Sequence, residues 1–158
     1  MSARVWRLEG PGLGAWSGPC TTSDMRWRRD PVRASTRALG QAGEDAAVRY
    51  LKRRGLVILA RNLRSRLGEL DLLARDGSTL VFVEVKARRG LSGDPPEAAV
   101  DARKRARLSR LALGYLAARR LGEQSCRFDV VGVSLDEAGG VIGLRHLEHA
   151  FDLDGWTS

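Results

Sequence analysis

The spacing of apolar residues along the chain predicts two helices and five strands. Apolar side chains recur at helical spacing between residues 39 and 51, so a first helix is expected from Ser35 or Thr36 to the basic run before Gly55. The same spacing predicts a second helix from about Pro96 to Arg120. Five shorter apolar runs predict strands at residues 56–63, 69–75, 79–87, 127–134 and 141–147. The order α-β-β-β-α-β-β favours an α/β or α+β domain in which helices pack on a mixed sheet.

Three charged residues interrupt the second and third predicted strands. Asp71 lies in the second strand, and Glu84 and Lys86 lie in the third, each among apolar neighbours. A charged side chain in such a strand is costly to bury unless it is paired or binds a metal ion. The three positions form either a metal site or a ladder of salt bridges on a solvent-facing surface, and their spacing alone leaves both open.

The hairpin between these two strands decides whether the charged side chains meet. A two-residue turn at Asp76-Gly77 would place Asp71 opposite Phe82, and a four-residue loop of residues 76–79 would place it opposite Glu84. Either register puts Asp71 on the face of the two charged residues of the third strand, whereas a loop of odd length would separate them. The opposite, core-facing set would be Leu70, Leu72, Val81, Val83 and Val85.

A further acid, Glu44, lies in the first predicted helix directly after Gly43. Glycine inside a helix costs about 1 kcal/mol relative to alanine, so Gly43 indicates that another element approaches the helix closely there. Asp45 is rotated by about 100° from Glu44 around the helix, so at most one of these acids faces a given site. The alternative is that Glu44 is an exposed acid paired with neighbouring arginines.

The whole chain is basic, because 27 Lys and Arg residues outnumber 19 Asp and Glu residues and give a net charge of +8. This balance favours a polyanionic partner such as nucleic acid, although an excess of arginine also arises from a GC-rich coding sequence. On the second helix a basic stripe is equally compatible with a solvated face. The candidates for contacts with nucleic-acid phosphates are Arg64, Arg66, Arg88, Arg103, Lys104, Arg107 and Arg110.

Residues 1–34 show no period of 2 or 3.6, so we expect a disordered or loosely attached extension before a domain at residues 35–158. Cys20 and Cys126 lack CxxC spacing, which argues against a zinc or disulfide framework. The sequence has neither a run of roughly 18 to 20 apolar residues nor the apolar core of a signal peptide, so a cytoplasmic protein is expected. Structural roles are expected for Arg127 and Asp129, and surface positions for His146 and His149.

Two carboxylates and a lysine on one face are the groups that metal-assisted hydrolysis of a phosphodiester needs. Mg²⁺ prefers oxygen ligands and takes one or two protein carboxylates, which Asp71 and Glu84 would supply together with the backbone carbonyl of Val85. Lys86, two residues after Glu84, projects to the same face. There its charge can hold the attacking water or offset the negative charge that develops in the transition state.

The spacing of Asp71, Glu84 and Lys86 resembles the D-x(n)-(D/E)-x-K signature of the restriction-endonuclease-like nucleases. More narrowly, the chain from about Arg37 to Leu147 is similar to the bacterial YraN family, whose core resembles that of archaeal Holliday-junction resolvases. This similarity rests on the ordered segments GQAGEDAA, Asn62-x-Arg64, GELDLLARDG, LVFVEVKAR, Ala99-Val100-Asp101…Lys104 and RFDVV.

The resemblance implies a restriction-endonuclease-like core, a central mixed sheet flanked by helices. It implies a site in which Glu44 joins Asp71, Glu84 and Lys86, with Mg²⁺ or Mn²⁺ as the cofactor. The implied activity is a structure- or branch-selective DNA endonuclease, and a homodimer is implied by analogy with the resolvases. Two alternatives stay open: a nucleic-acid-binding protein that keeps the fold but cuts little or not at all, and a basic protein-interaction factor.

Overall fold

A five-stranded mixed sheet with one helix on each face forms the described part of the chain. The structure is a computed structural model that describes residues 36–91, 100–122 and 124–152, so the predicted extension at residues 1–34 lies outside it. The predicted α/β architecture and element order are confirmed. The elements are α1 (Thr36–Arg53), β1 (Val57–Ser65), β2 (Gly68–Asp76), β3 (Thr79–Arg89), α2 (Ala102–Ala118), β4 (Cys126–Leu135) and β5 (Val141–Phe151).

The strands follow one another across the sheet in chain order, and only the β3–β4 pair is parallel. This pair is joined through α2, as a parallel pair requires a crossover connection. α1 packs on one face through Ala46, Ala47 and Leu51, and α2 packs on the other through Leu108 and Leu111. No helix in the described part of the chain is long and apolar enough to cross a membrane.

Both faces of the sheet are buried, so the expectation of a single core-facing side was wrong. Along β3, Val81 and Val83 pack beneath α1, whereas Leu80 and Phe82 pack beneath α2. Residues 79–84 of this strand are therefore buried without interruption. A strand covered on both faces has a continuous apolar run instead of clean alternation.

The β2–β3 hairpin has the register that places Asp71 opposite Glu84. Asp76 pairs with Thr79, so the turn residues are Gly77 and Ser78, and the ladder continues to the Leu72–Val83 pair. Gly77 has a φ of 56°, which a side-chain-bearing residue adopts less readily. The alternative with Asp71 opposite Phe82 is wrong, because Phe82 pairs with Leu73.

Regular strand structure breaks down around Asp71. The β2–β3 ladder stops at Leu72, and Leu70 packs on the α2 side whereas Leu72 packs on the α1 side. The predicted grouping of Leu70 with Leu72 on one face was therefore wrong. In β1, Asn62 has a φ of 50°, and the register pairs Arg61 with Leu72 and Leu63 with Leu70, which leaves Asn62 beside Asp71. Two adjacent strands are thus irregular at the same level of the sheet.

α2 begins later than predicted. Asp101 is its N-cap: its backbone is extended (φ −68°, ψ 168°), and its side chain accepts a hydrogen bond of 2.7 Å from the Lys104 backbone N–H. The expected start at Pro96 was wrong, and residues 92–99 lie outside the described part. At the other end α2 stops at Ala118, two residues before the expected end at Arg120, which has a left-handed backbone (φ 56°).

A buried polar network joins β4 to β5 and to the hairpin. Asp129 is 1% exposed, and its carboxylate accepts hydrogen bonds from Arg127 Nε and the His149 backbone and shares one of 2.9 Å with His146 Nε2. Arg127 also donates to Asp76. The surface position expected for His146 was wrong, since its side chain is only 3% exposed and packs edge-on against Tyr50.

Candidate functional site

Asp71 lies where β2 and β3 stop pairing. Its Oδ2 accepts a hydrogen bond of 2.7 Å from the Val85 backbone N–H. The carboxylate thus takes the place of a backbone acceptor at the point where the ladder ends. This bond holds the Asp71 side chain between the two strands, close to Glu84 and Val85 of β3.

Glu84 is buried, with only 5% of the residue exposed, and two lysines contact it. Lys86 Nζ lies 2.9 Å from Glu84 Oε1, and Lys104 Nζ donates a hydrogen bond to the same oxygen. A buried carboxylate needs such partners, because desolvation without compensation is costly.

Lys104 reaches Glu84 because of the way α2 begins. The Asp101 cap sets the start of the helix, and Lys104 follows in the first turn with its side chain directed at the sheet. Lys104 was predicted as a phosphate contact on a basic stripe, and the structure places it inside the acidic site instead. An Asp–x–x–Lys spacing at a helix start was the available signal, but sequence alone does not tell which way the helix faces.

The carboxylates of Glu84 and Glu44 lie close enough to Asp71 to affect its pKa. The pKa of the Asp71 carboxyl is raised from 3.8 to about 7, chiefly by burial and then by the charge of Glu84. The charge of Glu44 raises this pKa further, whereas the Val85 N–H bond and Lys104 lower it. Asp71 therefore lies in a region where the negative charge is only partly neutralised.

The two lysines respond to this environment in opposite ways. Burial lowers the pKa of Lys104, and the neighbouring Lys86 lowers it further against the opposing effect of Glu84. For Lys86 the lowering by burial is outweighed by hydrogen bonding to Lys104 and Glu84, so its pKa is raised. Lys86 is thus the better fixed positive charge of the pair.

Glu44 approaches the site from α1, on the helix face turned toward β1. Its Oε2 accepts a hydrogen bond of 2.8 Å from Asn62 Nδ2 and lies 3.7 Å from Arg61 Nη2. Asp45 is paired with Arg61 and with Gln41. Asn62, whose backbone is left-handed, thus uses its side-chain amide to hold the Glu44 carboxylate in place.

Gly43 allows α1 to approach the strand that bears Glu84 and Lys86. A Cβ at Gly43 would lie 2.4 Å from the Cβ of Ala87, far inside contact distance. Both residues must therefore be small where the helix crosses β3. Their neighbours in sequence, Glu44 and Lys86, are held in the same region by this close packing.

The predicted phosphate-contacting arginines fall into three places. Arg64 lies in β1, with its Nε 3.4 Å from Glu69 Oε2, and Arg66 lies in the β1–β2 turn. Arg88 donates a hydrogen bond to Ser134 of β4. On α2, the side-chain carbons of Arg107 would lie 3.3 Å from a Cβ at position 68, so Arg107 packs over Gly68 at the end of the β1–β2 turn. Arg103 and Arg110 are exposed on the same helix.

The donor atoms suit a hard divalent cation. Among residues 36–91, 100–122 and 124–152, no three His, Cys, Asp or Glu side chains are grouped closely enough to hold a metal ion together. Mg²⁺ needs fewer, since it usually takes one or two carboxylates and keeps several waters. Asp71 and Glu84, whose side chains meet between β2 and β3, meet that requirement.

The chain matches the model of "Uncharacterised protein family UPF0102" over residues 43–133. A UPF0102 protein of Syntrophotalea carbinolica is 48% identical over 119 residues, which cover 75% of this chain and 95% of that protein. One of Symbiobacterium thermophilum is 51% identical over 120 residues, covering 73% of this chain and 98% of the relative. One of Geotalea uraniireducens is 44% identical over 125 residues, with 79% and 98% covered.

Proposed function

The chain belongs to the uncharacterised protein family UPF0102, which confirms the resemblance to YraN proteins, and we propose that it is a divalent-metal-dependent DNA endonuclease. The observation that supports this most directly is the meeting of Asp71, Glu84, Lys86 and Lys104 where β2 and β3 diverge. A site with paired acids, lysines beside them and a strongly perturbed carboxyl is typical of catalytic centres.

Asp71 and Glu84 are the residues that would hold Mg²⁺ or Mn²⁺. The Val85 backbone N–H points at Asp71, and the carbonyl of a strand residue points to the same side as its N–H, so we expect the Val85 carbonyl to be a third ligand. Glu44 would support the ion from α1. When bound, the ion neutralises charge on phosphoryl oxygens and lowers the pKa of a coordinated water.

The lysines would act on the phosphate and the attacking water. Lys86 keeps a positive charge at the site, where it can orient the water and offset charge that develops on the phosphoryl oxygens. Lys104 Nζ and Lys86 Nζ contact the same oxygen of Glu84, Oε1. We expect Lys104 to neutralise Glu84 until a cation binds there, and then to be available to a phosphate oxygen.

Calorimetry with Mg²⁺ and Mn²⁺, together with cleavage of duplex, flap and four-way-junction DNA, tests the proposal. Asp71→Asn and Glu84→Gln should abolish cation binding and cleavage, whereas Lys86→Met should abolish cleavage and leave cation binding in place. Glu137→Gln, an exposed acid whose side chain is 90% exposed, is the control and should change neither. Cleavage that persists in all three site variants would contradict the assignment.

A DNA-binding protein that does not cut is the second candidate. It is favoured by the two lysine ammonium groups that contact Glu84 and offset its charge. Salt-sensitive DNA binding without turnover would identify it. In that case Asp71→Asn and Glu84→Gln should leave DNA affinity unchanged or raise it, because they remove negative charge near the phosphates.

A further inference from the structure

Between α1 and β1 lies a cavity of about 470 Å³, here called the α1–β1 groove. It is lined by Val48 and Lys52 of α1 and by residues 58–62 of β1. β1 is an edge strand, and it is irregular twice along this stretch, with a register shift between Ile58 and Ala60 and a left-handed backbone at Asn62. Such irregularities bend a strand and re-aim its side chains, so the strand leaves an opening along the helix.

One end of the groove lies beside Glu44, the acid of α1 that belongs to the candidate metal site. Glu44, Val48 and Lys52 are spaced by four residues and therefore share one face of α1. At one end Asn62 both lines the groove and donates to Glu44. Lys52 follows Glu44 by eight residues, so the groove extends about 12 Å from Glu44 along the helix.

The lining combines apolar walls with positive charge. Val48, Ile58 and Leu59 supply apolar surface, and Leu59 is 43% exposed, so part of this surface faces solvent. Lys52 is exposed at the far end, and Arg61 lies near Glu44, where Asp45 offsets part of its charge. None of the residues that line the groove is acidic.

We propose that the α1–β1 groove binds an unpaired nucleotide of the DNA strand that passes through the metal site. A base has planar apolar faces and is joined through the sugar to an anionic phosphate, which suits apolar walls with a lysine at the end of the groove. A base inside a duplex cannot reach these walls unless it leaves the stack, and the energetic cost of leaving is least where the strand is already unpaired. The inference rests on the proposed function for its substrate class, and it makes unpaired strands next to the cut the preferred substrate.

Binding of a fluorescein-labelled ten-nucleotide oligothymidylate, measured by anisotropy in EDTA so that no cleavage occurs, tests this directly. Lys52→Ala should reduce the slope of log K against log salt by about 0.7, the value for one phosphate contact on a single strand. Arg53→Ala removes the same charge from the next residue, which does not line the groove, and should leave the slope unchanged.

The apolar wall is tested by a second matched pair on β1. Leu59 and Val57 are exposed to 43% and 49%, but only Leu59 lines the groove. Leu59→Ser should weaken oligothymidylate binding about fivefold, or about 1 kcal/mol, and leave binding of a blunt hairpin duplex unchanged. Val57→Ser should affect neither ligand.

Equal effects within either pair, or equal losses for single strand and duplex, would overturn the inference. Failure of the proposed function gives a different pattern. If groove variants weaken oligothymidylate binding while calorimetry finds no cation bound at Asp71, the groove inference stands and the nuclease assignment falls. If Asp71-dependent cleavage occurs and oligothymidylate binding ignores Lys52 and Leu59, the nuclease stands and the groove inference falls.

Discussion

The raised pKa of Asp71 makes the stability of the metal-free protein depend on pH in an unusual direction. Between pH 3.8 and about 7 the unfolded chain releases the Asp71 proton while the folded protein retains it. The free energy of unfolding therefore falls as pH rises through this window, and the destabilising contribution of Asp71 becomes constant above about pH 7. We expect Asp71→Asn to flatten this part of the profile of melting temperature against pH, because the amide has no proton to lose.

Divalent cations should reverse the Asp71 effect, since a bound cation favours the ionised carboxylate. The rise in melting temperature on adding saturating Mg²⁺ should be larger at pH 8 than at pH 5.5 in the wild type. It should vanish in Asp71→Asn. A wild-type profile that runs parallel to that of Asp71→Asn, with and without Mg²⁺, would show that Asp71 neither titrates in this window nor binds the ion.

Lys104 and a divalent cation compete for the same oxygen of Glu84 if the cation binds there. Removing the ammonium in Lys104→Met should therefore raise the apparent affinity for Mg²⁺ by about three- to tenfold, or roughly 1 kcal/mol. The metal-free variant should at the same time melt at a lower temperature, because buried Glu84 keeps only Lys86 as a partner.

Arg103→Met is the control for Lys104, since it removes a positive charge from the adjacent exposed position. It should leave both Mg²⁺ affinity, measured by calorimetry, and melting temperature nearly unchanged. Weaker Mg²⁺ binding in Lys104→Met than in Arg103→Met would contradict the competition and would indicate that Lys104 supports the ion.

At the scale of elements, the crossing of α1 over β3 depends on two small residues. Gly43→Ala gains up to about 1 kcal/mol of helix propensity, but its Cβ would lie 2.4 Å from the Ala87 Cβ on a central strand. Overpacking of this kind typically costs about 1–3 kcal/mol, so we expect net destabilisation in urea unfolding. α1 must also move outward, which draws Glu44 away from the site.

Gly40→Ala is the matched control, because a Cβ at Gly40 meets no atom within 4 Å. The same substitution in the same helix should there stabilise the protein by up to about 1 kcal/mol. In the double variant Gly43→Ala/Ala87→Gly the steric cost should be partly relieved, which a double-mutant cycle measures. Equal effects at Gly40 and Gly43 would mean that α1 does not touch Ala87.

The sequence predicted those elements whose signals are local. α1 has apolar spacing, a basic last turn and Gly55 after it, and its bounds came out within two residues. The hairpin was restricted to two even registers, but the choice between them was not possible because a two-residue turn at Asp76-Gly77 and a four-residue loop of residues 76–79 both keep Asp71 on the same face. Tertiary packing decided that register.

The features that sequence patterns missed depend on which elements face one another. The sides of Leu70 and Leu72 cannot be read from alternation, because the strand is covered on both faces and irregular at Asp71. Lys104 reaches Glu84, and His146 reaches Asp129, across gaps of 20 and 17 residues. To predict such pairs, one must know the order of the strands and the orientation of the helices, which a single sequence does not supply.

Over the described part of the molecule, the arginines differ in whether they are exposed, packed against the backbone or paired with an acid. Arg103 and Arg110 are exposed on α2, the helix that also bears Lys104. Arg107 of the same helix packs its side chain over Gly68. Arg54, directly after α1, is paired with Glu148 of β5, with 3.0 Å between Nη2 and Oε1. The homodimer stays a prediction, for which the molecular mass in solution is the measurement.

Duplex DNA that reaches the acidic site from the α2 side should contact Arg103 and Arg110 through its phosphates. Each Arg→Ala substitution should then reduce the slope of log K against log salt by about 0.9, the value for one phosphate of a duplex. Affinity should fall uniformly over sequences of different composition, since phosphate contacts do not read bases. Arg54→Ala removes the same charge where Glu148 already neutralises it, and its slope should equal that of the wild type. A reduced slope for Arg54→Ala alone would place the duplex on the opposite side of the sheet, away from α2.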